Sequence, residues 1–120
     1  MANTLLLDFQ KALVGFFDEL SQQFPREPDF ILIRIMIKDR LPVLEVMNFF
    51  INIILPQKEL IKSRSDTFWT EKNSLFSLGD FKTDTFKNLW KSKLDDEDKK
   101  IIWSWLDSFI SMVEKYQKIK

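Results

Sequence analysis

The stretch from Leu94 to Tyr116 constrains the fold of this chain more than any other part of the sequence. At 100° per residue its large apolar side chains fall in one broad stripe, and serine, aspartate and lysine residues cover the opposite side. Asp95 is placed to cap the helix, and lysines near its end suit the helix dipole. The pattern therefore predicts a long helix with one buried face. Its predicted core-facing residues are Ile102, Trp105, Leu106, Phe109, Ile110, Val113 and Tyr116.

The composition excludes several classes of function. Of the 120 residues 45% are hydrophobic, with 12 Phe and 4 Trp, which is enough for a packed core in a single domain spanning 1–120. Eighteen basic residues balance 18 acidic ones, so net charge provides no general attraction to nucleic acid. The absence of His and Cys removes the commonest general base and the commonest metal ligands. We therefore expect no catalysis, no cofactor and no metal site.

The longest apolar zone, Phe30–Leu55, is interrupted by charged residues and by Pro42. Its most apolar part is shorter than the ~20 residues that a membrane-spanning helix needs. We therefore expect no transmembrane segment and a soluble protein.

Helical spacing also predicts a first helix that reaches about Gln23, with Gly15 on its outer face. A glycine there can mark a close contact, but we prefer to interpret Gly15 as an idle surface residue. The β-branched run Phe30–Ile37 fits either a buried strand or a buried helix. Because nothing else in the chain offers a partner strand, we interpret it as a mostly buried helix. Pro42 is expected to open the next helix and Pro56 to close it.

These elements predict an all-α fold, a compact bundle of roughly five to seven helices in a single domain. The first and last helices should pack across the two central ones. The pattern weakens from Gln57 to Asp80, where only short helical segments are expected.

Four residues are candidates for a partner interface. Trp69 lies in a weakly patterned segment and Trp103 lies at the edge of the last helix's stripe, so both are candidates for exposure. Exposed large aromatics are enriched at interface centres, although the same residues could cap the rim of the core. Ile31 and Ile35 belong to a helix that is apolar on almost every side, which a small domain cannot bury completely.

A basic cluster supports an alternative function. Lys82, Lys87, Lys91 and Lys93 are interleaved with aromatic residues, an arrangement that can bind single-stranded nucleic acid by phosphate contact and base stacking. The aromatics have helical spacing, however, and the acidic run 95–98 follows directly. We therefore prefer to interpret these lysines as solvated residues around aromatic side chains of the core. The acidic run lacks the spacing and the glycine of a calcium loop and is interpreted as a helix start.

Three blocks of the sequence occur in a familiar order: Phe16–Leu20 followed by Phe24-Pro25, then Phe86–Trp90, then Ile102–Leu106. This order resembles a small helical module of uncharacterised proteins from nucleocytoplasmic large DNA viruses, the giant viruses. There an "FxxEL…FP" helix precedes "FKxLW" and "IWxYL", and Trp105 stands where tyrosine is usual. The resemblance implies a viral protein in the cytoplasm of an infected host cell, with packaging in the virion left open. It implies no catalytic residues.

Taken together, these features predict a non-catalytic protein-interaction or structural protein. Its apolar surplus and zero formal charge favour work in a homo-oligomer or as a subunit of a larger assembly.

Overall fold

A computed structural model of the protein describes residues 2–66, 68 and 90–119. These residues form helices and helical turns and contain no strand, which confirms the all-α prediction. Within them are five α-helices of five or more residues, numbered here in chain order. They are α1 (Ala2–Gln23), α2 (Pro28–Ile35), α3 (Val43–Phe49), α4 (Lys58–Lys62) and α5 (Asp96–Ile119).

The start of α5 has the cap that the sequence predicts. The backbone N–H of Asp98 donates to Oδ1 of Asp95 at 2.9 Å. In return, the backbone N–H of Asp95 donates to Oδ2 of Asp98 at 3.4 Å. This reciprocal pair is a capping box with aspartate in place of glutamate, and it satisfies two backbone donors that the helix leaves unpaired. The acidic run therefore begins α5, as predicted.

The ambiguous run Phe30–Ile37 is helical, as predicted, but it is not mostly buried, since only three of its eight residues are buried. It forms α2 and continues into a π-helical turn, Met36–Arg40, in which the N–H of Leu41 donates to the carbonyl of Met36 at 2.7 Å. Phe30, Ile33 and Ile37 are buried, so the helix has a clear inner side. The side-chain amide of Gln10 on α1 donates to the carbonyl of Ile37 at 3.0 Å, which compensates for the irregular backbone there.

Pro42 precedes α3 as predicted, but the prediction that Pro56 closes the following helix is wrong. After α3 the chain continues through a π-helical turn, Phe50–Ile54, and a 3₁₀ turn, Leu55–Gln57, directly into α4. Proline is tolerated in the first turn of a helix because its missing N–H is not needed there. The side-chain amide of Gln57 also donates to the carbonyl of Ile53 at 2.7 Å, so one carbonyl beside the proline is satisfied.

Contacts between side chains establish the directions of the helices. Phe24 meets Phe30, and Asp18 pairs with Arg34 further back along α1, so α1 and α2 are antiparallel. Contacts of α1 with α5 run from Phe9 beside Phe109 to Glu19 beside Trp105, so this pair is antiparallel too. α1 also packs against α3. The first helix is therefore the central element to which α2, α3 and α5 attach.

The core is centred on a cluster of phenylalanine rings from three parts of the chain. Phe109 of α5 lies 6.3 Å from Phe9, 5.5 Å from Phe16 and 5.8 Å from Phe50, measured between ring centroids. These pairs have the edge-to-face geometry that aromatic rings prefer. All four side chains are at most 1% exposed. The predicted inner face of α5 is buried at every position except Trp105, which is half-buried.

The interpretation of Gly15 as an idle surface glycine is wrong. It is half-buried, and a Cβ atom added to it would lie 3.4 Å from Cη2 of Trp105. The α1–α5 contact thus passes directly over this glycine, although the space above it still admits a methyl group.

Replacing Gly15 by alanine should raise the free energy of unfolding by about 1 kcal/mol, because alanine costs less backbone entropy in a helix and the new methyl group would touch Trp105. Urea denaturation of the wild type and the variant measures the difference. The larger Gly15→Leu is the matched control and should lose this gain, since its side chain must displace the indole. A less stable Gly15→Ala variant would show that the helices are closer here than described.

Candidate interaction surfaces

The outer side of α2 exposes three branched apolar side chains. Ile31 is 43%, Leu32 47% and Ile35 37% exposed, while Phe30 and Ile33 point into the core. Ile31 and Ile35 are four residues apart and so share one side of the helix, with Leu32 beside them. We call these three side chains the α2 face. The exposure predicted for Ile31 and Ile35 is confirmed, and their contact with a partner stays a prediction.

Of the two interpretations of Trp103, the structure supports its packing against the core and not its exposure to a partner. Its side chain is 5% exposed and packs in a second aromatic cluster with Phe68 and Trp90, whose ring centroids lie 6.2 and 5.3 Å away. The indole N–H of Trp90 donates to Asp66 at 2.9 Å. The edge of the α5 stripe is buried because a second group of residues covers it. Trp69 lies outside the described residues.

Arg64, two residues after the end of α4, makes several polar contacts with its surroundings. Arg64 donates two hydrogen bonds to the carboxylate of Asp107, at 3.0 and 2.7 Å, and a third to the carbonyl of Ile61. Its guanidinium also lies 5.7 Å from the ring centre of Trp103. These contacts bind α4 to the middle of α5.

Arg64 adopts a left-handed backbone conformation, with φ of 57°. The N–H of Arg64 donates to Ile61 and the N–H of Ser65 donates to Leu60, the two bonds of a Schellman motif. Glycine is usual at this position because other residues are strained there. The side-chain contacts of Arg64 therefore hold a backbone conformation that arginine would otherwise avoid.

Two further ion pairs join α4 to α5. Lys62 lies 3.5 Å from Asp107 and Lys58 lies 2.7 Å from Glu114. Hydrogen bonding from Arg64 lowers the pKa of Asp107, and hydrogen bonding from Lys58 lowers the pKa of Glu114. Since these carboxylates are partly exposed, the pairs orient the helices more than they stabilise them.

The lowered pKa of Asp107 predicts a loss of stability in acid. Its ion pairs contribute fully above the pKa of an unfolded aspartate, about 3.9, and the contribution disappears as the pH falls through the lower folded value. The variant Asp107→Asn should therefore be less stable than the wild type at neutral pH, and the difference should shrink below about pH 4. Urea denaturation across this range measures it.

The matched control for this titration is Asp39→Asn, which changes the net charge equally at an exposed position away from α5. It leaves the ion pairs of Asp107 in place, so the variant should still lose stability in acid. If the difference in the free energy of unfolding between the wild type and Asp107→Asn stayed constant down to about pH 2.5, the lowered pKa of Asp107 would be contradicted.

The predicted basic surface is described only in part. Lys91 and Lys93 are exposed, whereas Lys82 and Lys87 lie outside the described residues. Lys93 shares a hollow of about 250 Å³ with Phe24, Arg26 and the acidic Glu27, which come from the connection between α1 and α2. The fold therefore brings a second cation and a half-buried aromatic ring beside Lys93, which the spacing of the lysines alone did not predict.

A second hollow, also of about 250 Å³, lies between the last turns of α1 and the first turns of α5. Its buried base includes Phe16 and Leu20, and its lining also includes Trp105, Ile101, Glu19 and Asp98. The indole N–H of Trp105 donates to Glu19 at 2.9 Å. The helical period of α5 predicts a core position for Trp105, but its side chain is half-buried and lines this space. We call it the Trp105 hollow.

Within residues 2–66, 68 and 90–119, no three acidic side chains come together in a group that could hold a metal ion. None of the helices formed by these residues combines the length and apolar character needed to cross a bilayer. The chain matches no protein-family model, no curated protein and no solved structure. Its own surfaces are therefore the basis for assigning a function.

Proposed function

We propose that the protein is a non-catalytic interaction module that associates with a second copy of itself through the α2 face. The observation that supports this most directly is the exposure of three adjacent branched side chains on one short helix. Single exposed apolar residues are ordinary, whereas contiguous ones mark partner sites.

The charges that flank the α2 face favour a second copy as the occupant. Glu27 and Asp29 outweigh the single cation Arg26 and make the N-terminal end of α2 acidic. Lys38 and Arg40 follow its C-terminal end and outweigh the single acid Asp39 between them. A two-fold axis through the middle of α2 would pair the helix with its own copy in antiparallel orientation. Each acidic end would then face a basic end of the partner, with the apolar side chains between them.

The size of the α2 face determines how strongly two copies are expected to associate. Stable interfaces bury about 1,200–2,000 Å² in total, which three half-exposed side chains from each copy do not reach unless neighbouring surfaces join them. Because the formal net charge is zero, no overall repulsion opposes association. We expect a dimer with a dissociation constant in the micromolar range, about 8 kcal/mol of association free energy.

Sedimentation equilibrium over a range of protein concentrations tests this proposal. The double variant Ile31→Gln, Ile35→Gln should weaken the dimer by about tenfold or more, because it removes apolar contacts in both copies. The matched control is Ile101→Gln, Ile119→Gln, since these isoleucines are 54% and 46% exposed on α5. A wild-type monomer at high concentration, or an equal effect of both double variants, would contradict the proposal.

The origin in a large DNA virus, and a location in the infected cell's cytoplasm or in the virion, also belong to the proposal. They are supported only by the order of the three sequence blocks. Mass spectrometry of purified virions and of infected-cell extracts tests both points.

A second candidate function is binding of single-stranded nucleic acid, favoured by the arrangement of Lys93, Arg26 and Phe24 around one hollow. Titration with a fluorescent single-stranded DNA should then show affinity that falls steeply with salt. The variant Lys91→Glu, Lys93→Glu should abolish this binding and leave self-association unchanged. Salt-independent or absent binding would leave these lysines as solvated surface residues.

A further inference from the structure

The Trp105 hollow has the form of a receptor for a single side chain. Its volume of about 250 Å³ lies just below the roughly 300–1,000 Å³ of sites for small molecules. Phe16 and Leu20 are almost fully buried beneath it, while Ile101 is 54% exposed at its edge. A third hollow, of about 320 Å³, lies against Trp105 and Ile101. The indole thus stands between two open spaces and offers apolar surface to a ligand.

The polar lining of the hollow is acidic. Glu19 is exposed and one of its oxygens accepts the indole N–H of Trp105, which fixes its carboxylate at the hollow. A carboxylate has about four acceptor positions, so it can accept further donors. Asp98 lines the opposite side, and the other acids of the first turn, Asp96 and Glu97, add negative charge nearby. The N-terminus of α5 carries only about half a positive charge, which these acids outweigh.

From this combination we propose that the Trp105 hollow binds an arginine side chain presented by a basic peptide segment of a partner protein. The methylene groups of the arginine would lie against Trp105 and Leu20, as long basic side chains commonly do on apolar surfaces. Its guanidinium would stack on the indole and donate charge-assisted hydrogen bonds to Glu19 and Asp98. Lysine should bind more weakly, because it lacks the planar fork that pairs with a carboxylate.

This inference goes beyond self-association and concerns a different surface, the groove between α1 and α5. Loss of the dimer would leave it intact, and failure of arginine binding would leave the dimer intact. The two proposals can therefore fail separately.

The test uses the indole N–H resonance of Trp105 in ¹⁵N NMR spectra, assigned with Trp105→Phe. The probe is N-acetyl-arginine methylamide, and the matched control probe is the neutral N-acetyl-citrulline methylamide, which has nearly the same shape. We expect a saturable shift with a dissociation constant on the order of 1 mM for arginine, and binding about tenfold weaker for citrulline.

Variants of the protein separate the hollow from general attraction by acids. Glu19→Gln and Asp98→Asn should each weaken arginine binding severalfold, and the asparagine can still accept the hydrogen bond of the α5 cap. Glu97→Gln removes an exposed charge from the same turn outside the hollow and should change binding less than about twofold. Equal shifts with citrulline, equal losses in all three variants, or no shift of the Trp105 resonance would overturn the proposal.

Discussion

Replacing Phe109 by alanine is expected to lower the free energy of unfolding by about 3–5 kcal/mol, the usual range for a fully buried phenylalanine. The side chain is 0% exposed and lies within 6.3 Å of Phe9, Phe16 and Phe50, measured between ring centroids. It also lies 5.9 Å from Trp105. Its loss would open a cavity where α1, α5 and the turn after α3 meet, and surrounding rings can fill such a space only partly.

Equilibrium urea denaturation, followed by far-ultraviolet circular dichroism, measures this effect. Ser108→Ala is the matched control, because it changes the adjacent, exposed residue of the same helix and should stay within about 0.5 kcal/mol of the wild type. A Phe109→Ala variant that loses less than about 1 kcal/mol would mean that the phenylalanine cluster does not hold the three segments together.

The second large effect is expected at Trp103. Trp103→Ala should cost about 3–5 kcal/mol, because the indole is 5% exposed and packs on Phe68 and Trp90. Trp105→Ala, two residues along the same helix, should cost about half as much, since Trp105 is only half-buried. The pair is a direct test because both changes remove the same side chain from α5.

Which of the two variants loses more stability is more informative than the size of either loss. The periodicity of α5 assigns Trp105 to the core stripe and Trp103 to its edge, which predicts the larger loss at Trp105. The packing of the described residues predicts the larger loss at Trp103. Denaturation midpoints measured under identical conditions distinguish the two, and a larger loss at Trp105 would support the simple stripe over the described packing.

The long helices could be predicted from sequence because each has one packed side and recognisable ends. In α5 the apolar period, the Asp95 cap and the acidic first turn all indicate the same element, and each signal is local. The helical state of Phe30–Ile37 could be predicted by excluding a strand, because a strand without a neighbour leaves its backbone groups unpaired. Its outer side chains could be expected at the surface because a small domain cannot bury every side of a helix.

The features that were missed depend on contacts between distant residues. Periodicity describes one helix at a time and does not reveal that Phe68 and Trp90 cover the edge of α5. For the same reason a close contact at Gly15 was only an alternative, and the sequence does not show that its partner is Trp105. Pro56 was misjudged because proline stops a helix in its interior but begins one equally well, and only the turns around it decide between these roles.

The two candidate sites also differ in whether they could be predicted from sequence. The α2 face was predictable, since it is a surplus of apolar residues within one segment. The Trp105 hollow was not, because Glu19 and Asp98 are 79 positions apart in the chain and meet only when α1 and α5 pack antiparallel. The sequence does show acids shortly before Trp105, including Asp98. It does not show that Glu19, which is far away along the chain, lies beside them.

The left-handed conformation of Arg64 has a consequence for how this chain can evolve. Glycine at position 64 would remove about 1–2 kcal/mol of backbone strain, and it would also remove an exposed bidentate ion pair worth about 1 kcal/mol. Because these changes nearly cancel, selection for stability alone would hardly distinguish arginine from glycine there. Retention of arginine among descendants of this sequence would therefore indicate selection for the exact direction in which the chain leaves α4.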